Sequence, residues 1–132
     1  MNSSAIDYLS LGIIKKDQVF VLFSCPEWQT FYLESQCFEF DPLVKSALLN
    51  VDVPIGWHSI VISRKKASFI MDTRKELTGC QEGFSVVKKI DEDTSALLAF
   101  GTRGSFSELV DAYFTYKHQL LELIKTINIK LT

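Results

Sequence analysis

Residues 83–102 read GFSVVKKIDEDTSALLAFGT. Two apolar runs, 83–90 and 95–102, flank Asp91-Glu92-Asp93-Thr94, a polar connection of hairpin length, so the stretch predicts two consecutive antiparallel strands. Downstream, Ser105-Phe106-Ser107-Glu108 has the S-x-x-E form of a capping box and launches a helix over roughly 106–128. On it Phe106, Leu109, Val110, Tyr113, Phe114, Leu120, Leu121, Ile124 and Ile127 make a broad apolar stripe, wide enough to cover a sheet and leave apolar surface for a second copy. Upstream, residues 63–77 predict a helix with Ala67, Ile70 and Met71 inward, behind the basic Arg64-Lys65-Lys66, and Gly79 suits the position that ends it.

Working further back, residues 53–61 place Val53, Ile55, Trp57, Ser59 and Val61 on alternate positions, a strand periodicity with Pro54 marking an edge or an irregular stretch. Asp41-Pro42 combines an N-cap acceptor with a residue preset for the first turn, and Leu43, Val44, Ala47 and Leu48 continue at helical spacing. Pro26 opens a helix over about 26–35, with Trp28, Phe31, Tyr32 and Ser35 along one face. Val19-Phe20-Val21-Leu22-Phe23 is continuously apolar, which predicts a buried central strand. Residues 3–14 predict a short helix with Ile6, Leu9 and Ile13 on one side, and Lys15-Lys16-Asp17 a polar turn. The order α, β, α, α, β, α, β, β, α places the chain in the α/β class, as an antiparallel sheet in an α/β/α sandwich.

The 132 residues, 47% hydrophobic and 12% aromatic, suffice for one core and are too few for two. A net charge of −2 excludes a chain that binds nucleic acid electrostatically over its whole surface. Cys25, Cys37 and Cys80 are scattered, with no CxxC or Cys/His spacing, so no zinc site is expected and the thiols are read as reduced, in a cytoplasmic protein. The polar Asn2, Ser3 and Ser4 do not begin a secretory signal, and no apolar run reaches the roughly 20 residues of a spanning helix.

Trp28, Tyr32, Asp41 and Trp57 offer indole N–H, phenol O–H and carboxylate groups on mostly apolar segments. That is the equipment of a small-molecule pocket, in which a few polar groups fix one pose in an apolar cavity. No nucleophile–base pair accompanies them: His58 and His118 read as surface residues, and Cys25 has no activating base. No enzyme, catalytic residue or metal site is expected. Taken singly, each residue has a plain role. Asp41 is a helix cap, Trp28 and Tyr32 are core aromatics, and Gly79 is a helix terminator.

Taken in order, Trp28-x3-Tyr32-x8-Asp41-Pro42, then Trp57, then Gly79-x3-Gly83 resembles the autoinducer-binding domain of the LuxR-type quorum-sensing transcription regulators, over roughly residues 18–128. The resemblance implies a sandwich around a central antiparallel sheet of about five strands (PAS/GAF-like) and an N-acyl homoserine lactone or similar acyl signal held between the sheet and the helices on one face. It further implies that Trp57 donates to the lactone carbonyl and Asp41 accepts the ligand's amide N–H. By the same likeness Tyr32 bonds the acyl carbonyl, Trp28 forms an apolar wall and Gly83 begins the strand beside the pocket. Ser85 matches a hydroxyl-bearing position of the ligand site. Two departures are Ser24, where several members carry an aromatic, and Ala99, where many place Ser or Thr.

The resemblance also implies a homodimer that regulates transcription by contacting DNA only through a C-terminal helix-turn-helix domain. Nothing in residues 1–132 reads as that domain, and the chain stops at Ile129-Lys130-Leu131-Thr132. The expectation is a single ligand-sensing domain, with no cofactor beyond the acyl ligand. The alternative is a ligand-independent dimerisation or interaction module that modulates a full-length regulator.

Overall fold

The hairpin over residues 82–102 supplies the central strand of the sheet. In the computed structural model, which describes residues 5–131 except Asp17 and side chains as far as Thr126, strands β4 (Glu82–Asp91) and β5 (Thr94–Thr102) pair antiparallel through a tight turn at Glu92-Asp93. Preceding them are β1 (Tyr8–Lys15), β2 (Gln18–Phe23), α1 (Pro26–Glu34), α2 (Pro42–Leu49), β3 (Ile55–Gly56) and α3 (Lys65–Thr78), and α4 (Phe106–Leu131) follows. The sheet runs β2-β1-β5-β4-β3, antiparallel throughout. Asn2, Ser3, Ser4, Asp17 and Thr132 lie outside the described residues, and the stripe's Ile127 outside the described side chains.

Strand alternation divides the sheet into two faces. Ile13, Phe84, Val86, Ala96, Leu98 and Phe100 pack against Leu109, Tyr113 and Ile124 of α4. Tyr8, Gly12, Ser85, Leu97 and Ala99 face the other way, toward the layer of α1, α2 and α3. The Ser105 hydroxyl accepts from Glu108 N at 3.4 Å, half of the expected capping box. Gly79 ends α3 at φ +74°, with its N–H donating to Lys75 O at 3.0 Å.

Three elements differ from the sequence expectation. Residues 8–15 are a strand rather than part of a helix. The i, i+3 spacing of Ile6, Leu9 and Ile13 coexists with a period of two, Tyr8, Ser10 and Gly12 on one face and Leu9, Leu11 and Ile13 on the other, and pairing with β5 from Tyr8↔Gly101 to Lys15↔Thr94 selects the latter. The apolar run 19–23 forms the edge strand β2, not a central one; Phe20 and Leu22 are exposed, while Val21 and Phe23 point inward.

The expected strand over 53–61 is only two residues long. After Ile55↔Ser85 and Gly56↔Phe84 the chain leaves the sheet in a 3-10 turn at Trp57–Ser59, held by the Ser59 hydroxyl donating to Gly56 O at 2.8 Å. That turn drives the Trp57 indole beneath the sheet, where Gly83 and Gly101 face each other across β4 and β5. A Cβ at Gly83 would lie 2.4 Å from Phe100 O and 2.5 Å from the indole, and one at Gly101 3.0 Å from the same ring. The two glycines are the slot in which Trp57 sits.

Gly83→Ala is therefore expected to cost about 3 kcal/mol, since backbone and a buried ring must both move. Gly12→Ala, whose Cβ would meet nothing closer than 3.7 Å, is expected to be neutral or stabilising by up to about 1 kcal/mol. Urea midpoints at unchanged slope check both.

Candidate functional site

Asp41 lies at the junction of a 3-10 turn (Cys37–Phe40) and α2. Pro42 fixes the first turn of α2, which leaves Asp41 extended at φ −75°, ψ 113° with its side chain turned back over the helix start. Its Oδ1 accepts Leu43 N–H at 3.1 Å, and its Oδ2 accepts the Tyr32 hydroxyl at 2.9 Å. The carboxylate is 2% exposed. An N-cap ordinarily sits at the surface, so burial of this one requires a cation.

The cation is Arg74, which the sequence reading did not single out. Its Nη2 donates to Asp41 Oδ2, and its Nη1 to Met71 Sδ at 3.1 Å. Arg74 is 4% exposed and occupies the same α3 face as Ile70, Met71 and Thr78. The signal was present: Arg74 follows Ile70 by four and Met71 by three, so it falls on the inward stripe, where an arginine demands a buried partner. Its guanidinium carbon is 5.1 Å from the Trp28 ring centre and 5.8 Å from that of Trp57, so two indoles flank it.

Trp28 and Tyr32, one turn apart on α1, meet edge to face at 5.3 Å, and Phe23 of β2 lies 5.1 Å from Tyr32 and 6.4 Å from Trp28. The indole N–H groups of Trp28 and Trp57 are buried without a hydrogen-bond partner. Such donors are uncommon in folded proteins and call for an acceptor.

Between sheet and helices lies a cavity of about 30 Å³, measured as the space open to the centre of a water-sized sphere. On that measure it holds roughly two waters. Tyr8, Ser10, Tyr32, Asp41, Arg74 and Ser85 supply its polar wall, and Val21, Phe23, Phe38, Leu43, Val44, Leu97 and Ala99 its apolar one. Of the five residues singled out from sequence, Tyr32, Asp41 and Ser85 line it. Trp28 and Trp57 do not, and both pack on Arg74 instead. A surface groove of about 330 Å³ by the same measure shares Val21, Tyr32 and Phe38 with the cavity, so the two adjoin at these side chains.

The charges interact strongly. Burial alone pushes the Arg74 guanidinium down, but Asp41 and the neighbouring phenols more than offset it, and the net direction is up. Burial, then the Asp41 charge, pushes the Tyr32 phenol well up. Burial raises Tyr8 to about 12 from 10.0, against a partly offsetting hydrogen bond from Ser10. Burial, then Asp41, also raises Cys37. All four act to keep the site's phenols and thiol protonated and its one ion pair intact.

Elsewhere, the Cys25 thiol donates to Leu77 O at 3.6 Å, away from the cavity wall, and His58 and His118 are exposed. Among the described residues no group of three His, Cys, Asp or Glu could hold a metal ion, and no helix is long and apolar enough to cross a membrane.

No protein-family model matches the chain, and no curated protein matches it. Solved structures do. The N-acylhomoserine lactone dependent LuxR family transcription factor CepR2 of Burkholderia cenocepacia superimposes with a TM-score of 0.64 at 14% identity, over 84% of this chain and 74% of that one. The VqsR LBD domain of Pseudomonas aeruginosa gives 0.64 at 15%, over 91% and 76%. Escherichia coli SdiA gives 0.66 at 16%, over 96% of this chain and 56% of that one, and SdiA has also been solved in complex with octanoyl-rac-glycerol. The likeness establishes the fold: this chain has the five-stranded α/β/α fold of LuxR-family autoinducer-binding domains.

Two outcomes follow from the ion pair and the phenols. Arg74→Met is expected to cost about 3–5 kcal/mol by leaving a buried carboxylate unpaired. The Asp41→Asn/Arg74→Met double variant, with no ion left to bury, is expected to be more stable than Arg74→Met alone; equilibrium urea unfolding of both singles and the double measures the coupling. Tyr8, with its folded pKa raised from 10.0 to about 12, holds its proton between these values while the unfolded chain has lost it. Its contribution of about 2–3 kcal/mol is therefore complete below pH 10 and disappears as pH rises toward 12. Tyr8→Phe is expected to flatten that part of the alkaline stability curve.

Proposed function

We propose that this chain is the ligand-sensing domain of a LuxR-type transcription regulator and that the cavity beside Asp41 receives the head of a small acyl compound. The observation that carries the reading is that Tyr32, Asp41 and Ser85 all line one small cavity between the sheet and the helices, in this fold. The apolar wall and the adjoining groove across Val21 and Phe38 suit an acyl chain, worth on the order of 0.8 kcal/mol per buried methylene. The name of CepR2 points to N-acyl homoserine lactones and the SdiA complex to an acylglycerol, so both head types are candidates. Lactone recognition by Trp57, amide recognition by Asp41 and contact with Trp28 belong to this proposal.

The domain then acts in the cytoplasm as a homodimer, reporting occupancy to a separate DNA-binding helix-turn-helix unit. Support for the dimer is the apolar surface left by Phe114, Tyr116 and Leu123 of α4 and by Phe20 and Leu22 of β2. A role without catalysis agrees with neighbours that are transcription-factor domains.

A second reading has one observation in its favour. The cavity is only about 30 Å³, and Asp41 is already paired, which suits a ligand-independent interaction module.

The two readings separate in a thermal melt followed by circular dichroism. With octanoyl-rac-glycerol or N-octanoyl homoserine lactone near 100 times its Kd, the sensing reading expects a rise in Tm of about 5–10 °C. Unchanged melting with both, up to their solubility limits, is the result expected of the ligand-independent module.

A further inference from the structure

The sheet has two edges, and they are built differently. β3 is two residues long, with Pro54 before it and the 3-10 turn at Trp57–Ser59 after it, so it offers little backbone to a further strand. β2, Gln18–Phe23, is the opposite edge. It pairs with β1 without a break in register and carries no charged residue, proline or glycine. Those are the devices that ordinarily blunt an edge strand against pairing with another chain.

The hydrogen bonds around β2 show which of its backbone groups are open. Ser24 N donates to Leu9 O at 2.9 Å. By the alternation of an antiparallel ladder, Leu22, Phe20 and Gln18 then turn their backbone groups toward β1, and Phe23, Val21 and Val19 turn theirs outward. The outward N–H of Phe23 is taken, since it donates to Gln29 Oε1 at 2.6 Å. The outward N–H and C=O groups of Val19 and Val21 have no partner among the described residues.

A second copy of the same strand supplies what these groups lack. Antiparallel pairing about a two-fold axis at Phe20 sets Val19 opposite Val21 of the second copy, and Val21 opposite its Val19. Each open N–H and C=O then finds a partner. An axis at Val21 would set Val19 opposite Phe23, whose N–H Gln29 already holds, and leave the Val19 carbonyl without a donor. An axis at Val19 would set Val21 opposite Asp17, past the end of β2. The register at Phe20 alone pairs every open group within the strand.

The side chains agree with that register. Phe20 and Leu22 are exposed, and the axis brings Phe20 against its own counterpart with Leu22 diagonal to it. With no charge in β2, the two-fold contact opposes no like charges. On the other face, Val19 and Val21 line the groove of about 330 Å³ beside the cavity. The axis is perpendicular to the joined sheet, so the grooves of the two copies meet along the seam.

We propose that two copies of this chain join through β2, antiparallel about Phe20, into one continuous sheet. The inference rests on the homodimer of the reading above and names its interface; the exposed apolar residues of α4 lie outside it.

Sedimentation velocity of the unmodified chain over about 2–200 µM is expected to show a dimer forming across that range, as suits a small interface. In the same chain, amide hydrogen exchange followed by NMR is expected to slow at least about fivefold at Val19 and Val21 as concentration rises, with little change at Phe23. Phe20→Lys and Phe20→Glu, each alone, oppose like charges across the axis and are expected to dimerise at least about fivefold more weakly; mixed in equal amounts they are expected to recover the dimer. Exchange at Val19 and Val21 in the unmodified chain decides the matter whether or not these variants fold. Concentration-independent exchange there, in a chain that dimerises, overturns the edge assignment and leaves the homodimer standing; loss of the dimer in Leu123→Lys then places it on α4. Failure of the mixture to recover what each folded variant loses overturns the register at Phe20. A chain that stays monomeric at the highest concentration removes both the edge and the homodimer. Acyl binding is read separately, by the thermal melt.

Discussion

A carboxylate and a guanidinium, both almost wholly withdrawn from water, hold together the layer of helices that faces the sheet. Asp41 belongs to the start of α2, Arg74 to the last turns of α3, and Tyr32, which bonds the same carboxylate oxygen, to α1. One acidic side chain thus ties three helices that have few backbone links with one another. A buried ion pair gives little net stability against an apolar replacement, but it tolerates no loss of one member. What it confers is placement. With Asp41 fixed, the Pro42 turn, the α3 register and the positions of both indoles follow.

The sheet contributes the complementary surface. Its helix-facing side is kept shallow by small residues, Gly12, Ser85, Ala99 and the Gly83–Gly101 pair. Its opposite side is filled by Phe84, Phe100 and Val86 against α4, with Phe84 and Phe100 stacked at 5.1 Å and Tyr113 closing on both. The α4 side is therefore a packed core. The helix side combines polar wall, cavity and slot, and all the residues with functional promise sit there. This asymmetry arises from strand alternation alone: β4 sends Phe84 and Val86 one way and Ser85 the other.

Much of this was legible in the sequence where the deciding signal was local. Pro26, Asp41-Pro42, Gly79 and the Asp91–Thr94 connection mark boundaries through backbone chemistry confined to a few residues, and the structure places them as expected. Three readings failed where the deciding partner was distant. Residues 8–15 carry both a helical and a strand period, and β5, whose paired residues lie 79 to 93 positions further on, decides between them. The apolar run of β2 reads as central because periodicity records side-chain character and not neighbours. The alternation over 53–61 is genuine, but Pro54 stands before the first paired residue, and the 3-10 turn at Trp57–Ser59 ends the pairing after Gly56 and turns Trp57 into the glycine slot. In the candidate site, Tyr32, Asp41 and Ser85 stand out in the sequence and line one cavity in the structure. Apolar periodicity alone does not reveal Arg74, although a charge on the inward stripe of α3 demands a buried partner.

The two tryptophans of this chain stand on either side of the Arg74 guanidinium, sealed from solvent and with their N–H groups uncommitted. The protein's near-ultraviolet emission thus originates almost entirely in one spot, next to a fixed positive charge. Indole fluorescence responds to such charges and to polar partners at the ring nitrogen. The domain consequently carries its own optical gauge of that spot, one that needs no label and whose colour and intensity change whenever the guanidinium shifts or an acceptor comes into reach.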